Sequence, residues 1–182
     1  MPIGYSYVVM LFLYGMAEIF VQIKLKGRPR KRVFDITYHF VTIPFGLLLI
    51  FPTLLNLDGQ YVPRGYQVIL LCLFFALGLT IRMKGYFDLS TTFSDRVELK
   101  EDHVLIRRGI YRHIRHPLYL ASILMCFGCV SYLFDLLTLF LMASTLFGIM
   151  FRISKEESYL SANLRGYKEY CKTTKRFIPR IM

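Results

Sequence analysis

Residues 118–151 form an almost unbroken apolar stretch of 34 residues, interrupted by one charge, Asp135. As a single helix it would reach about 51 Å, against a hydrocarbon core of roughly 30 Å. Two antiparallel helices turning near Asp135 resolve the mismatch. Each is then about 16 to 17 residues long and must stand nearly upright or lie in thinned lipid.

Three further apolar runs precede this hairpin. Residues 5–23 carry Glu18 as their only charge, residues 34–55 contain Pro44 and Pro52, which predict a kink, and residues 66–81 form the third. The chain is 55% hydrophobic yet carries a formal charge of +11, a combination that separated apolar and basic blocks explain in a membrane protein. The basic residues also orient it. Six Lys or Arg lie in "KLKGRPRKR", eight in residues 82–117 and eight in residues 152–182, leaving Arg64 alone on the other side. Twenty-two of 23 therefore face one compartment, which the positive-inside rule makes the cytoplasm. The expected fold is an all-α integral membrane domain of five transmembrane helices, N-terminus outside or lumenal and C-terminus cytoplasmic. Residues 1–81 supply three spans and residues 82–182 the catalytic half, all in one domain.

The same residues argue against other classes. No aromatic platform or recognition fold accompanies the basic blocks, so nucleic acid is not an expected partner; anionic membrane lipids are. Cys126 and Cys129 have redox or metal spacing, but "LMCFGCVSY" offers no second ligand pair, and they read as packing residues. No basic n-region or small-residue cleavage site marks the first run as a removable signal, so it reads as a retained span. Two polar segments remain for the cytoplasmic face, residues 82–117 and the tail. Their Leu, Ile, Tyr and Phe content suggests that they pack on each other as a cap. The tail is expected to continue the fifth span as a helix, with Tyr159, Ala162, Tyr167 and Tyr170 turned toward a partner.

Three of the four histidines, His103, His113 and His116, lie in the first cap segment. Arg112 and Arg115 crowd the last two, which opposes a divalent ion, so no metal is expected. Glu156 and Glu157 follow the last span, at a boundary where unpaired charge is unwelcome, and a partner around Arg115–His116 is expected. Glu18 lies within about two turns of Lys24 and is expected to snorkel to the interface, with a place in a substrate cavity as the alternative.

The order "EDHVLIRRGIYRHIRHPLYLA", a short helical hairpin, "EES", then "YKEYCKTTKRFIP" resembles the isoprenylcysteine carboxyl methyltransferase and phospholipid methyltransferase superfamily. The resemblance covers roughly residues 89–179 and rests on Arg-His-Pro-x-Tyr, Glu-Glu and Tyr-x-x-Tyr in sequence. It implies an S-adenosyl-L-methionine-dependent enzyme whose cofactor is held in the cap. It would place His103, Leu105, Gly109 and Tyr111 along the cofactor pocket, with His116 and Tyr119 closing it. Arg115 and Glu156 would be the pair most needed for activity, with Glu157 as the matching acid if the tail contains a one-residue gap. Tyr167, Tyr170 and Arg176 would hold a C-terminal lid. Ala121, Ser90 and Asn163–Leu164 stand where the family usually has glycine-containing positions.

The implied acceptor is lipophilic and enters from the bilayer: a prenylcysteine carboxylate, or alternatively a phospholipid amine. Two other classes fit part of the pattern. Sterol-type reductases binding NADPH share an Arg-His-Pro segment, but they usually continue with Asn and carry tail tryptophans. Here Leu118 follows, and the chain has no Trp. A non-enzymatic lipid-binding scaffold would explain the charge but not the ordered motifs.

Overall fold

A computed structural model describes residues 5–25, 36–57, 61–89 and 105–177. Helices α1 (Tyr5–Leu25), α2 (Ile36–Leu57) and α3 (Gly65–Leu89) are followed by a single 3-10 turn, Gly109–Arg112. Then come α4 (Pro117–Tyr132), α5 (Leu136–Asn163) and a short α6 (Tyr167–Thr173). Among the described residues there is no strand, only an isolated parallel bridge between Ile114 and Lys175.

The chain turns at the expected place. Asp135 caps α5, its carboxylate accepting from the Leu137 N–H at 2.8 Å while its own N–H donates to Thr138 Oγ1 at 3.2 Å. α3 packs most closely on α4 and α2 on α5, with α1 against α3 and α2. The core between them is apolar and aromatic: Tyr7, Phe45, Leu48, Leu71, Phe75, Met125 and Tyr132 are all buried. Outward faces are equally apolar, with Phe12, Ile69 and Phe147 exposed, a distribution suited to lipid rather than water. α2, α3 and α5 are long and apolar enough to cross a membrane, and two shorter apolar helices, Tyr7–Val21 and Pro117–Tyr132, accompany them. α2 stays helical through both Pro44 and Pro52.

Three local expectations change. α3 does not stop at residue 81 but continues two turns to Leu89, because Arg82 is neutralised inside the bundle instead of marking its edge. Its partner is Glu18, which therefore does not reach along its own helix toward Lys24. α5 does continue past the apolar run, but it ends at Asn163. Gly166 then adopts φ 80°, a left-handed conformation that glycine takes without strain, and α6 starts in a new direction. Tyr159 and Ala162 are consequently exposed, whereas Tyr167 and Tyr170 are buried.

Candidate active site

The segment before α4 and the tail are joined by backbone. The Arg115 N–H donates to the Lys175 carbonyl at 2.8 Å and the His116 N–H to that of Arg176 at 3.1 Å. The Tyr170 hydroxyl donates to the Tyr111 carbonyl at 2.6 Å, and Arg107 Nη2 to the Gly166 carbonyl at 2.8 Å. Burial pushes the Tyr170 phenol up to about 12 and raises those of Tyr111 and Tyr167 further. All three remain neutral hydrogen-bonding groups at ordinary pH.

Glu157 is the hub of this closure. Its Oε1 accepts from Arg115 Nε at 3.0 Å and His116 Nε2 at 3.1 Å, and its Oε2 from Arg176 Nη2 at 2.6 Å. A carboxylate only accepts, so the His116 hydrogen sits on Nε2 in this contact. Arg115 also donates to the carbonyls of Cys171 and Thr174. The Glu157 carboxylate holds the Arg176 guanidinium above its ordinary value. Of the two acids left open by the sequence, Glu157 is thus the one opposite Arg115. Glu156 points elsewhere because neighbouring helical residues are about 100° apart. It accepts from the Tyr119 hydroxyl at 3.1 Å, and Tyr119 in turn accepts from Arg152 Nε at 2.7 Å.

Gly109 contributes through what it lacks. Its φ is 57°, and an added Cβ would land on the Asp88 carboxylate, which accepts from the Ile110 N–H at 2.7 Å. Asp88 at the end of α3 thereby fixes the turn that leads to Tyr111. Leu105 is partly buried at the start of the described segment, and His103 and Ser90 lie outside the described residues. Ala121 is fully buried against α3, where its carbonyl faces Gly78.

Two arginines escaped the sequence reading. Arg152 is buried, donates to Thr37 Oγ1 at 3.0 Å and lies over the Tyr38 ring at 5.6 Å. Arg82 pairs with Glu18, and its Nη1 reaches Ser122 Oγ at 3.3 Å. Each stands at the end of an apolar run, where the positive-inside rule already accounts for a cation. Arg152 lies one turn before Glu156 on α5, which is the signal that was available. Among the described residues no group of three or more His, Cys, Asp or Glu is placed to hold a metal ion.

Comparison with known families falls on this same half of the molecule. The model of the isoprenylcysteine carboxyl methyltransferase family matches residues 68–162, just over half of the chain. The chain belongs to that family. It is 30% identical over 112 residues to the protein-S-isoprenylcysteine O-methyltransferase of Schizosaccharomyces pombe, covering 59% of this chain and 48% of the relative. The chain thus spans about half the length of the curated relative it matches. The family match includes Arg82, Arg115, His116, Tyr119, Arg152, Glu156 and Glu157, and leaves out α1, α2 and the tail from residue 163. Glu18, Thr37, Tyr170 and Arg176 thus meet the matched region from outside it.

Proposed function

We propose that this chain transfers a methyl group from S-adenosyl-L-methionine to the carboxylate of a prenylated cysteine or a closely related lipid-like acid. The work is done at the cytoplasmic face of a membrane that five helices cross, with the N-terminus outside. The observation that carries this reading is the coincidence of the family match with the part-buried Arg152–Tyr119–Glu156 chain and the Glu157 hub.

The side chains present suit a zwitterionic sulfonium. Glu156 is a partly exposed carboxylate for an ammonium or ribose hydroxyls, and Arg176, 40% exposed, offers a guanidinium edge to a carboxylate. His116 and Tyr119, with ring centroids 5.7 Å apart, supply an aromatic surface. His103, Leu105, Gly109, Tyr111 and Tyr167 complete the lining in this reading. When bound, S-adenosyl-L-methionine supplies the electrophilic methyl group. Arg115, engaged by Glu157 and two carbonyls, holds the tail closed over the site and acts as a positioning residue.

A prenylcysteine carboxylate is ionised at pH 7, so no general base is required and the protein's task is alignment in a dry site. Arg152 and Arg82 reach Tyr119 and Ser122, one turn apart on α4, and are the cations assigned to the acceptor. The acceptor's lipid chain enters sideways between helices while the polar donor enters from the cytoplasm.

The test is methyl transfer from radiolabelled donor in membranes carrying the full chain. Prenylcysteine analogues, phosphatidylethanolamine and a small thiol are offered in parallel. Label is expected as a base-labile ester of the prenylcysteine. Label in the phospholipid would overturn the carboxylate assignment, and failure to bind S-adenosylhomocysteine by calorimetry would end the methyltransferase reading.

A further inference from the structure

Helix α1 lies outside the residues that the family model matches, yet it sends its one described acidic side chain into the matched half. Glu18 ion-pairs with Arg82 and also accepts from the Tyr86 hydroxyl at 3.3 Å. The Arg82 guanidinium lies over the rings of Tyr14 and Tyr86, 5.7 and 5.3 Å from their centroids. Both charged side chains are largely withdrawn from the surface, 22% exposed for Glu18 and 15% for Arg82. As a device for holding two helices together such a pair is poor, since apolar packing of similar volume serves as well or better.

Its location is more informative. Arg82 reaches Ser122, three residues beyond Tyr119 on α4, and three-residue spacing puts both on one helix face. Tyr119 is already bonded to Arg152 and Glu156. The Glu18–Arg82 pair therefore borders the same polar layer that the acceptor must approach.

We infer that Glu18 is the resident counter-ion of Arg82, a positioning residue that tempers the guanidinium so that it orients an acceptor carboxylate without trapping it. The inference rests on the proposed methyl transfer to a carboxylate. In that step a carboxylate oxygen forms the new O–CH3 bond, the S–CH3 bond breaks with its electron pair left on sulfur, and no proton moves. The acceptor's negative charge is consumed as the bond forms. An uncompensated cation beside it stabilises the starting carboxylate more than the transition state, which lowers KM and kcat together. With Glu18 in place the pair is neutral overall, yet its N–H groups still point.

The test compares Glu18→Gln with wild type in the full chain, using the anionic prenylcysteine and its neutral methyl ester as paired probes. In Glu18→Gln the acceptor KM is expected to fall about tenfold, kcat to fall by a similar factor, and inhibition by the ester to stay unchanged. Glu18→Asp is expected to restore wild-type values. Unchanged KM and kcat would overturn the inference, as would equal weakening of acid and ester, the signature of a purely structural pair. If Glu18→Gln does not fold, the double variant Glu18→Gln/Arg82→Gln, which removes both charges of the pair, takes its place. A raised acceptor KM with unchanged ester inhibition then supports the inference, and no change in either overturns it. A wild-type chain that methylates no prenylcysteine overturns the proposed function and this inference with it. Normal wild-type turnover with a flat response in the variants overturns this inference alone.

Discussion

At the end of the bundle where α4 turns into α5, Tyr7 and Tyr132 interlock with ring centroids 4.8 Å apart, and Tyr61 donates to the Tyr132 carbonyl at 2.6 Å. At the opposite end, Glu157 gathers Arg115, His116 and Arg176, while Arg152 and Glu156 share Tyr119. The first end is held by shape, with Leu48, Leu71 and Met125 closing the space below the tyrosines. The second is held by ions that are tolerable only as a set. Packing of the first kind degrades gradually when a side chain is trimmed. An ionic set fails abruptly, because losing one member strands the others in a low-dielectric interior.

The sharpest way to break this contrast is Glu157→Ala. It leaves Arg115, His116 and Arg176 without their shared carboxylate and should cost about 3–5 kcal/mol of local stability. Displacement of the tail should also lower methyl transfer at least about a hundredfold. Initial rates, together with proteolysis of the tail, read both effects. Leu48→Ala probes the other end and should cost about 2–3 kcal/mol, mostly as lost packing since lipid is as apolar as the core. Thermal unfolding in detergent measures it, and the acceptor KM is expected to stay put. Gly109→Ala should cost about 1–2 kcal/mol, through its left-handed φ and the clash with Asp88. Activity should fall with it, because the turn sets the position of Tyr111 two residues on.

The smallest effect is a pH dependence. The Tyr170 phenol titrates at about 12 in the folded chain, against roughly 10 when unfolded. Its folded value is raised, so its stabilising contribution is complete below about pH 10 and disappears as pH climbs through about 12. A melting curve of the tail against pH should fall from about pH 10 upward, and Tyr170→Phe should make that fall shallower, the remainder coming from Tyr111 and Tyr167.

The contrast also marks what was readable in advance. The α4–α5 hairpin follows from the length of an apolar run against the thickness of a bilayer, and Asp135 announces its own turn. The packing of the tail against the segment before α4 is legible as two polar segments too apolar to be solvated. Pairing is not. Glu18 and Arg82 are 64 residues apart, and an arginine ending an apolar run has the same appearance whether it faces water or a buried carboxylate. Whether Glu156 or Glu157 meets Arg115 depends on helix phase at the end of α5, which composition does not encode.

The parallel bridge between Ile114 and Lys175 has a consequence for biosynthesis. The strand-like stitch that ties the tail to the segment before α4 requires residues 175 and 176, so the contacts that Arg176 makes with Glu157 and His116 can form only after α5 and α6 have both been made.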